Sequence, residues 1–177
     1  KYMPEMNPIM IYRLDRFGRG GHHRPFNDLG YAGVRIMEAH ENYNRQHQDI
    51  RIEDGIEYGD VISGVNFKYA KKLTAVNAIN LASLGWSPKE PKSVKIGGAV
   101  KPSTKLKWEK PKNSKILGYK LYWRKTTSAF WENSRFVGDT NEFTLKGIVI
   151  DNFLFGVSSV GTNNQESIIV FPKDVFN

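Results

Sequence analysis

The chain has 177 residues, 40% hydrophobic and 12% aromatic, which is enough apolar material for a folded core and is not typical of disorder. It contains no cysteine, which excludes disulfide bonds and thiolate zinc sites, and no apolar run approaches the roughly 18 residues that a membrane-spanning helix needs. The net charge of +8 is uneven, since residues 88–177 hold 15 basic against 8 acidic side chains and residues 1–87 hold 11 against 10, so we expect two segments of different chemistry.

The first segment predicts mixed α and β structure. Residues 8–12 and 33–37 are apolar runs of strand length that flank glycine-rich loops. Residues 64–84 predict an amphipathic helix, because apolar side chains recur at spacings of three and four: Val65, Tyr69, Leu73, Val76 and Ile79. We expect this helix to pack on a sheet, although a partner-binding stripe is an alternative.

Two strands and one helix are too few to close a doubly wound α/β sheet. We therefore expect the first segment to be the end of a larger α/β domain, with apolar surface exposed unless another chain covers it. The helix should end at Gly85, because residues 86–91 contain two prolines and predict a linker.

The second segment predicts an all-β sandwich. Polar and apolar side chains alternate over residues 105–108, 118–124, 143–145 and 153–157, as they do in half-buried strands. Turn residues fill the gaps, namely Pro111, Asn113, Ser114 and residues 161–164. Short strands at such regular spacing are typical of a β-sandwich.

The order K-L-x-W, G-Y-x-L-Y-W-R, E-F-T-L-x-G and F-x-F-x-V-x-S-V-G-x-N-N-x-E-S resembles a fibronectin type III domain from Pro91 to about Pro172. The resemblance places these residues on strands two, three and six of the sandwich: Trp108, then Tyr119 and Tyr122, then Phe153, Phe155 and Val157. Phe153 departs from the family, which has a tyrosine there, so its packing is kept and the hydrogen bond of the hydroxyl is lost.

Residues 101–125 also hold nine basic side chains against the single acid Glu109. Together with the neighbouring aromatic residues this indicates a nucleic-acid surface as one alternative. A solvated sheet face explains the pattern better, because the lysines alternate with strand residues. We therefore expect no nucleic-acid partner.

His47 lies in the polar stretch NYNRQHQDIR, and spacing alone leaves its role open. A zinc site needs three or four converging ligands, and the chain has neither an H-E-x-x-H motif nor a cysteine pair. His47 and Asp49 have a spacing that can place two ligands on one side of an extended strand. Their polar neighbours are instead typical of a surface loop.

Residues 15–35 read DRFGRGGHHRPFNDLGYAGVR, and E-N-Y, Q-H-Q-D-I-R, E-D-G and Y-G-D follow them. From residue 8 to 84 this order resembles the co-catalytic di-zinc aminopeptidases, a metallopeptidase family related to glutaminyl cyclases and glutamate carboxypeptidases. The fold class implied is an α/β fragment, the end of a zinc-aminopeptidase α/β/α domain, followed by the all-β fibronectin type III-like sandwich. The boundaries implied are residues 1–87 for the C-terminal part of the zinc peptidase domain, 88–91 for the linker and 92–177 for the sandwich.

The resemblance assigns roles to particular residues. It implies that His47 is the last zinc ligand of the family and that Tyr43 stabilises the tetrahedral intermediate, although a packed loop tyrosine is an equal alternative. It implies that His23 and Asp49 support the ligands from behind or line the substrate pocket. His22 departs from the pattern, where the family has aspartate, and we assign no role to His40.

The function implied is that of a zinc-dependent exopeptidase that holds two zinc ions and cleaves peptides with metal-activated water. We find neither the other ligands of the family nor its glutamate general base, so we expect at most one zinc ligand here and no activity from this chain alone. The expected partners are a peptide substrate and the missing N-terminal part of the peptidase domain, with no membrane span, in a periplasmic or secreted protein. The alternative function is a non-catalytic binding or spacer module that contacts protein or glycan.

Overall fold

The structure is a computed structural model that describes residues 3–13, 15–112 and 114–176, so that Asn113, predicted in a turn, lies outside the described residues. The chain divides into two compact units, residues 1–80 and residues 81–177. The division falls inside helix α2, Phe67–Gly85. Each unit is described by itself below.

The first unit consists of short elements joined by long loops. They are helix α1 (Arg24–Asp28), a 3-10 turn (Tyr43–Arg45), strands β1 (Arg51–Glu53) and β2 (Ile56–Tyr58), a second 3-10 turn (Ile62–Gly64) and most of α2. Strands β1 and β2 form an antiparallel hairpin. Its turn residues Asp54 and Gly55 both have positive φ, 51° and 77°, as a tight hairpin with an Asp-Gly turn requires.

The prediction of strands at residues 8–12 and 33–37 is wrong. Both segments lie within the described residues, but neither forms a strand or pairs with one. A strand needs a partner backbone for its N–H and C=O groups as well as a suitable sequence, and no such partner lies beside them in the described part of the chain. Their apolar side chains are also exposed, 68% for Ile9 and 78% for Val34, so the α/β layer expected for residues 1–87 is not formed here.

Helix α2 is close to its predicted bounds. It begins three residues later than predicted, after Asn66, whose side-chain oxygen accepts a hydrogen bond from the N–H of Tyr69 at 3.0 Å. Four residues of the predicted apolar face are partly buried: Tyr69, Leu73, Val76 and Ile79. None of the 19 residues is fully buried, so the packing on a sheet expected for this helix is not seen.

The second unit contains the predicted β-sandwich. Its strands are β3 (Lys92–Gly97), β4 (Thr104–Glu109), β5 (Ile116–Lys125), β6 (Asn133–Gly138), β7 (Glu142–Leu145), β8 (Phe153–Gly161) and β9 (Asp174–Val175), with a 3-10 turn at Ile150–Asn152. One sheet has the order β7-β4-β3-β9 and the other has the order β6-β5-β8. The second, third and sixth strands carry the residues predicted for them, so that part of the sequence reading is confirmed.

The core lies between the two sheets of the sandwich. Leu106 and Leu121 are fully buried and come from opposite sheets, and the rings of Trp108 and Tyr119 lie 5.1 Å apart across the same core. Thr104 is also fully buried, and its hydroxyl donates to the carbonyl of Ile148 at 2.8 Å, which satisfies a polar group that would otherwise be costly to bury. The core is therefore built by the inward positions of the alternating strands.

The segment after β8 connects the two sheets. It first runs antiparallel to β8, with bridges from Glu166 to Val160 and from Val170 to Val157. It then crosses to the other sheet, where β9 pairs with β3 in parallel. The N–H of Phe176 donates to the carbonyl of Ile96 at 2.9 Å there, so the last strand of the sandwich lies beside the first.

No helix among the described residues has both the length and the hydrophobicity to cross a lipid bilayer.

Candidate functional site

His47 lies on the loop of residues 42–50, which begins with the 3-10 turn Tyr43–Arg45 and leads into the hairpin. The side chain of Asn42 accepts a hydrogen bond from the N–H of Asn44 at 3.1 Å and so caps the turn. His47 follows with φ of 54°, in the left-handed region that costs a non-glycine residue about 1–2 kcal/mol. Its side chain is exposed, so the imidazole is available on a loop with a defined backbone.

An ion cluster of arginines and carboxylates lies beside this loop. It comprises Asp15, Arg16, Arg19, His23, Arg35 and Glu41. Arg16 makes two hydrogen bonds from Nη1 to Glu41, 2.9 Å to Oε1 and 3.0 Å to Oε2. Arg35 donates to Asp15 at 3.2 Å and lies 3.6 Å from Glu41, so it contacts both carboxylates.

Both carboxylates are shielded from solvent and yet favour the ionised form. The backbone N–H of Arg16 donates to Asp15 at 2.7 Å and lowers the pKa of that carboxyl group. Burial raises the pKa of Asp15, whereas the positive charge of Arg35 lowers it further, so the pKa is lowered on balance. Burial raises the pKa of Glu41, but the hydrogen bonds and charge of Arg16, with the charges of Arg19 and Arg35, outweigh it and leave the pKa lowered. The cluster is therefore ionic at neutral pH.

Arg19 connects the ion cluster to the His47 loop. Its Nη1 donates to Oε1 of Gln46 at 2.9 Å and lies 3.7 Å from Oε2 of Glu41. Gln46 is the residue directly before His47, so the contact fixes the chain one residue from the imidazole.

The opposite side of the loop is held by the hairpin. Arg45 pairs with Glu57 at 2.7 Å, and the N–H of Gly59 donates to the carbonyl of Asn44 at 2.8 Å. Gly59 is buried with φ of +100°, and a Cβ there would lie 2.8 Å from Cα of Ile50. Only glycine suits this close approach, and the loop is thus held on both sides.

The structure brings together three of the four residues singled out for the site. Tyr43, His47 and Asp49 all lie on the loop or its 3-10 turn, and all three are exposed, Tyr43 by 59%. The backbone carbonyl of Asp49 accepts from Arg51 at 3.4 Å.

His23 lies in the ion cluster, with Nε2 3.8 Å from Oδ2 of Asp15 and only 10% of its side chain exposed. It also lines an open, mainly apolar depression of about 500 Å³, together with Phe26, Tyr31, Ala32 and Gly33.

A complete zinc site does not fit the described residues. His47 offers the imidazole nitrogen that zinc prefers, but no group of three or more His, Asp or Glu side chains able to hold a metal is found in residues 3–13, 15–112 and 114–176. Asp15 and Glu41, the shielded carboxylates nearest to the loop in the hydrogen-bond network, are engaged by arginines. The described residues therefore do not form a complete zinc site, and further ligands would have to come from other residues.

The ion cluster was not predicted from the sequence. Its residues belong to the segment that carries the aminopeptidase resemblance, but spacing gives them no role, because Arg16 and Glu41 are 25 residues apart. The alternation of arginines and glycines in residues 15–21 was the one visible signal.

Comparison with known proteins gives relatives named probable zinc metalloproteases. No protein-family model matches the chain. It is 44% identical over 168 residues to a probable zinc metalloprotease of Leptosphaeria maculans, with 94% of this chain and 39% of the relative covered. It is 39% identical over 171 residues to a probable zinc metalloprotease of Phaeosphaeria nodorum, with 95% and 34% covered. The similarity thus extends over both units, and the chain spans about two fifths or less of the curated relatives it matches.

Solved structures similar to this chain include fibronectin type III domains. The fn3 domain of human collagen alpha-1(XX) is 16% identical, with a TM-score of 0.40, and covers 52% of this chain and 90% of its own. An Fn3-like protein from Clostridium thermocellum is 14% identical, with a TM-score of 0.40, and covers 47% and 85%. At these scores the likeness carries no argument, and the assignment of the sandwich rests on its strand order.

Proposed function

We propose that this chain is part of a zinc-dependent exopeptidase of the aminopeptidase type, and that His47 provides one of its zinc ligands. The observation that supports the proposal most directly is an exposed imidazole on a loop held from both sides, in a chain that aligns over 94% of its length with a probable zinc metalloprotease. The substrate class is a peptide with a free N-terminus. A periplasmic or secreted location belongs to the same proposal.

The residues of this chain have distinct roles in the proposal. In the longer protein His47 would hold zinc through one imidazole nitrogen, and the bound zinc would supply Lewis acidity. The exposed hydroxyl of Tyr43, four residues earlier on the same loop, is available to donate a hydrogen bond to an anionic oxygen of the substrate. His23 and Asp49 support the loop or line the substrate pocket, and the ion cluster holds the loop in place.

The remaining ligands and the general base belong, in this proposal, to the part of a longer protein that the relatives share beyond this chain. That part also covers the exposed apolar side chains of residues 3–80. The chain alone is then inactive towards peptides.

The test is the zinc content and the rate of leucine p-nitroanilide hydrolysis of the longer protein, with His47→Ala and the matched control His40→Ala. His40 is an exposed histidine with no assigned role. We expect His47→Ala to lose bound zinc and to reduce the rate by more than the roughly 10–100-fold that residues behind a ligand cost. His40→Ala should change neither.

Two results would contradict parts of the proposal. If His47→Ala keeps its zinc and its rate, His47 is not a ligand. If an N-acetylated leucine substrate is cleaved as fast as the free one, the enzyme is not an aminopeptidase.

A binding or spacer role of the sandwich is the second candidate function. Contacts between a cation and aromatic rings beside β5 favour this role. The guanidinium of Arg124 lies 5.5 Å from the ring centre of Trp131, and the ring centres of Trp131 and Tyr122 lie 5.8 Å apart. Such a face suits contact with protein or glycan. A longer protein that binds no zinc and cleaves no peptide would favour this role over catalysis.

A further inference from the structure

A cavity of about 370 Å³ lies where the edges of the two sheets of the sandwich meet. Its walls come from strand β5, from the edge strands β6 and β7, and from the segment that follows β7. Two aromatic, two aliphatic and two basic side chains line it: Trp123, Phe143, Leu145, Ile148, Arg135 and Lys146. No acidic side chain of the described chain is among its lining residues.

The strand register brings the apolar part of the lining to the core side of the sheets. Phe143 lies directly opposite the buried Leu106 on β4, and paired residues of an antiparallel ladder share one face. Trp123 lies two residues after the buried Leu121 on β5, so it has the same direction. Both rings pack against the core of the sandwich, as does Ile148. The floor of the cavity is therefore the edge of the core itself.

Arg135 is a cation on the core side of an edge strand. It pairs in register with the buried Leu121, and its guanidinium carbon lies 5.1 Å from the ring centre of Phe143 in the other sheet. Neither Arg135 nor Lys146 has a carboxylate partner among the described residues, whereas Lys105 makes a salt bridge to a glutamate at 2.7 Å. The cavity thus carries positive charge that no acidic side chain of the described chain neutralises.

The wall beside Lys146 is held in place before any ligand binds. The hydroxyl of Thr104, which is fully buried, donates to the carbonyl of Ile148 at 2.8 Å. The N–H of Gly147 donates to the hydroxyl of Ser103 at 3.2 Å. These two bonds fix the backbone directly after Lys146, so little conformational entropy of this wall is lost on binding.

We propose that this cavity binds a small organic acid, a monocarboxylate with an aromatic body. The guanidinium of Arg135 matches the two oxygens of a carboxylate, and Lys146 adds positive charge beside it. The rings of Trp123 and Phe143 offer contact area for the aromatic body. Ligand cavities commonly measure about 300–1,000 Å³, so a volume of about 370 Å³ suits a ligand with a single ring. The site involves neither His47 nor zinc.

The test uses hydrocinnamate as the probe and this chain as the protein. Titration followed by heteronuclear NMR should give saturable shifts of the backbone amides of residues 143–148, with a Kd of about 1 mM or below, as a ligand of this size allows. Hydrocinnamamide has the same body without the charge, and acetate has the charge without the body. Both should bind at least ~10-fold more weakly than hydrocinnamate.

Arg135→Gln removes the guanidinium at an exposed position and should weaken binding of hydrocinnamate roughly 10-fold. Lys146→Gln should weaken it about two- to five-fold, because a single exposed charge contributes less. The matched control is Lys95→Gln, which removes the same charge from an exposed position outside the cavity and should bind as the wild type does. Urea unfolding of each variant checks that the sandwich is folded.

Four results would overturn the proposal. They are the absence of saturable shifts, equal binding of hydrocinnamamide, equal binding of inorganic phosphate at the same amides, and an affinity that Arg135→Gln leaves unchanged. If Arg135→Gln keeps its affinity and self-associates in sedimentation, the inward charge instead protects the edge of β6 from pairing with another chain.

Discussion

Asp15 and Glu41 are the two carboxylates of the ion cluster, and Glu41 is connected to the His47 loop through Arg19. Their side chains are only 4% and 11% exposed, and each contacts at least two of the arginines Arg16, Arg19 and Arg35. A carboxyl group that lost its charge here would leave the guanidinium groups facing each other in a shielded place. The loop should therefore respond to acid.

We expect acid to loosen the His47 loop. Both carboxyl groups have a pKa in the folded chain below the ordinary values of 3.8 for Asp and 4.5 for Glu. Their stabilising contribution is therefore complete above those ordinary values and is lost as the pH falls through the lower folded values. Amide exchange of residues 42–50, corrected for its intrinsic pH dependence, should be flat from pH 7 to 5 and should rise below about pH 4.

Glu41→Gln is the control for this prediction. It should show faster exchange of the loop already at pH 7 and a smaller further change in acid, because Asp15 is then the only carboxyl group left in the cluster. Exchange that stays flat down to pH 3 in the wild type would show that the cluster does not hold the loop.

Strand β5 is the element on which the sandwich depends. It is the central strand of its sheet, paired with β6 on one side and β8 on the other. Its inward residues Tyr119 and Leu121 are buried in the core, whereas Leu117 is 50% exposed on the same strand. The strand therefore offers a matched pair of leucines in opposite environments.

Leu121→Ala should destabilise the sandwich by about 2–5 kcal/mol, since it removes fully buried methyl groups and leaves a cavity. Leu117→Ala should cost less than about 1 kcal/mol. Urea unfolding followed by tryptophan fluorescence measures the free energy of unfolding of both variants. The slope of that free energy against urea concentration should be unchanged. Equal losses from the two variants would show that Leu117 is buried in solution as Leu121 is.

The sequence predicts elements well where the signal is local and poorly where it depends on a distant partner. The alternation along β4, β5 and β8 is set by the period of two of each strand, so these strands were found. Residues 8–12 and 33–37 have strand-like composition, but no neighbouring strand pairs with them. The Asp54-Gly55 dipeptide is a local signal for a hairpin turn. It was used only as part of the resemblance to the peptidase family, so the hairpin itself was not predicted.

The candidate site was predictable only in part for the same reason. The resemblance singled out His47, Tyr43 and Asp49, and the structure places all three on one loop or its turn; their roles remain a prediction. The ion cluster could not be foreseen, because it joins segments around residues 15–19, 35 and 41 that come together only in the fold.

The whole molecule holds its apolar core in one unit. The buried hydrophobic residues of the described chain all belong to the sandwich, whereas the first unit leaves large apolar side chains open to solvent, with Phe17 exposed by 92% and Ile62 by 79%. Apolar side chains that are open to solvent are accessible to a hydrophobic dye. The two units should therefore differ in how they present apolar surface.

We expect this chain to bind a dye such as anilinonaphthalene sulfonate and the sandwich alone, residues 88–177, to bind it several-fold less. The dye reports accessible apolar surface in a folded or partly folded chain. The melting of the sandwich, followed by tryptophan fluorescence, checks that the shorter chain is folded. Equal dye binding by both would show that the apolar surface of the first unit is covered in solution.

The parallel pairing of β3 and β9 has a mechanical consequence. The two strands run in the same direction, and the hydrogen bonds from Lys173 to Val94 and from Phe176 to Ile96 lie between them. Tension applied between the start of β3 and the end of β9 acts along both strands in opposite senses. The load is then shared by these bonds in shear, rather than opening them one after another.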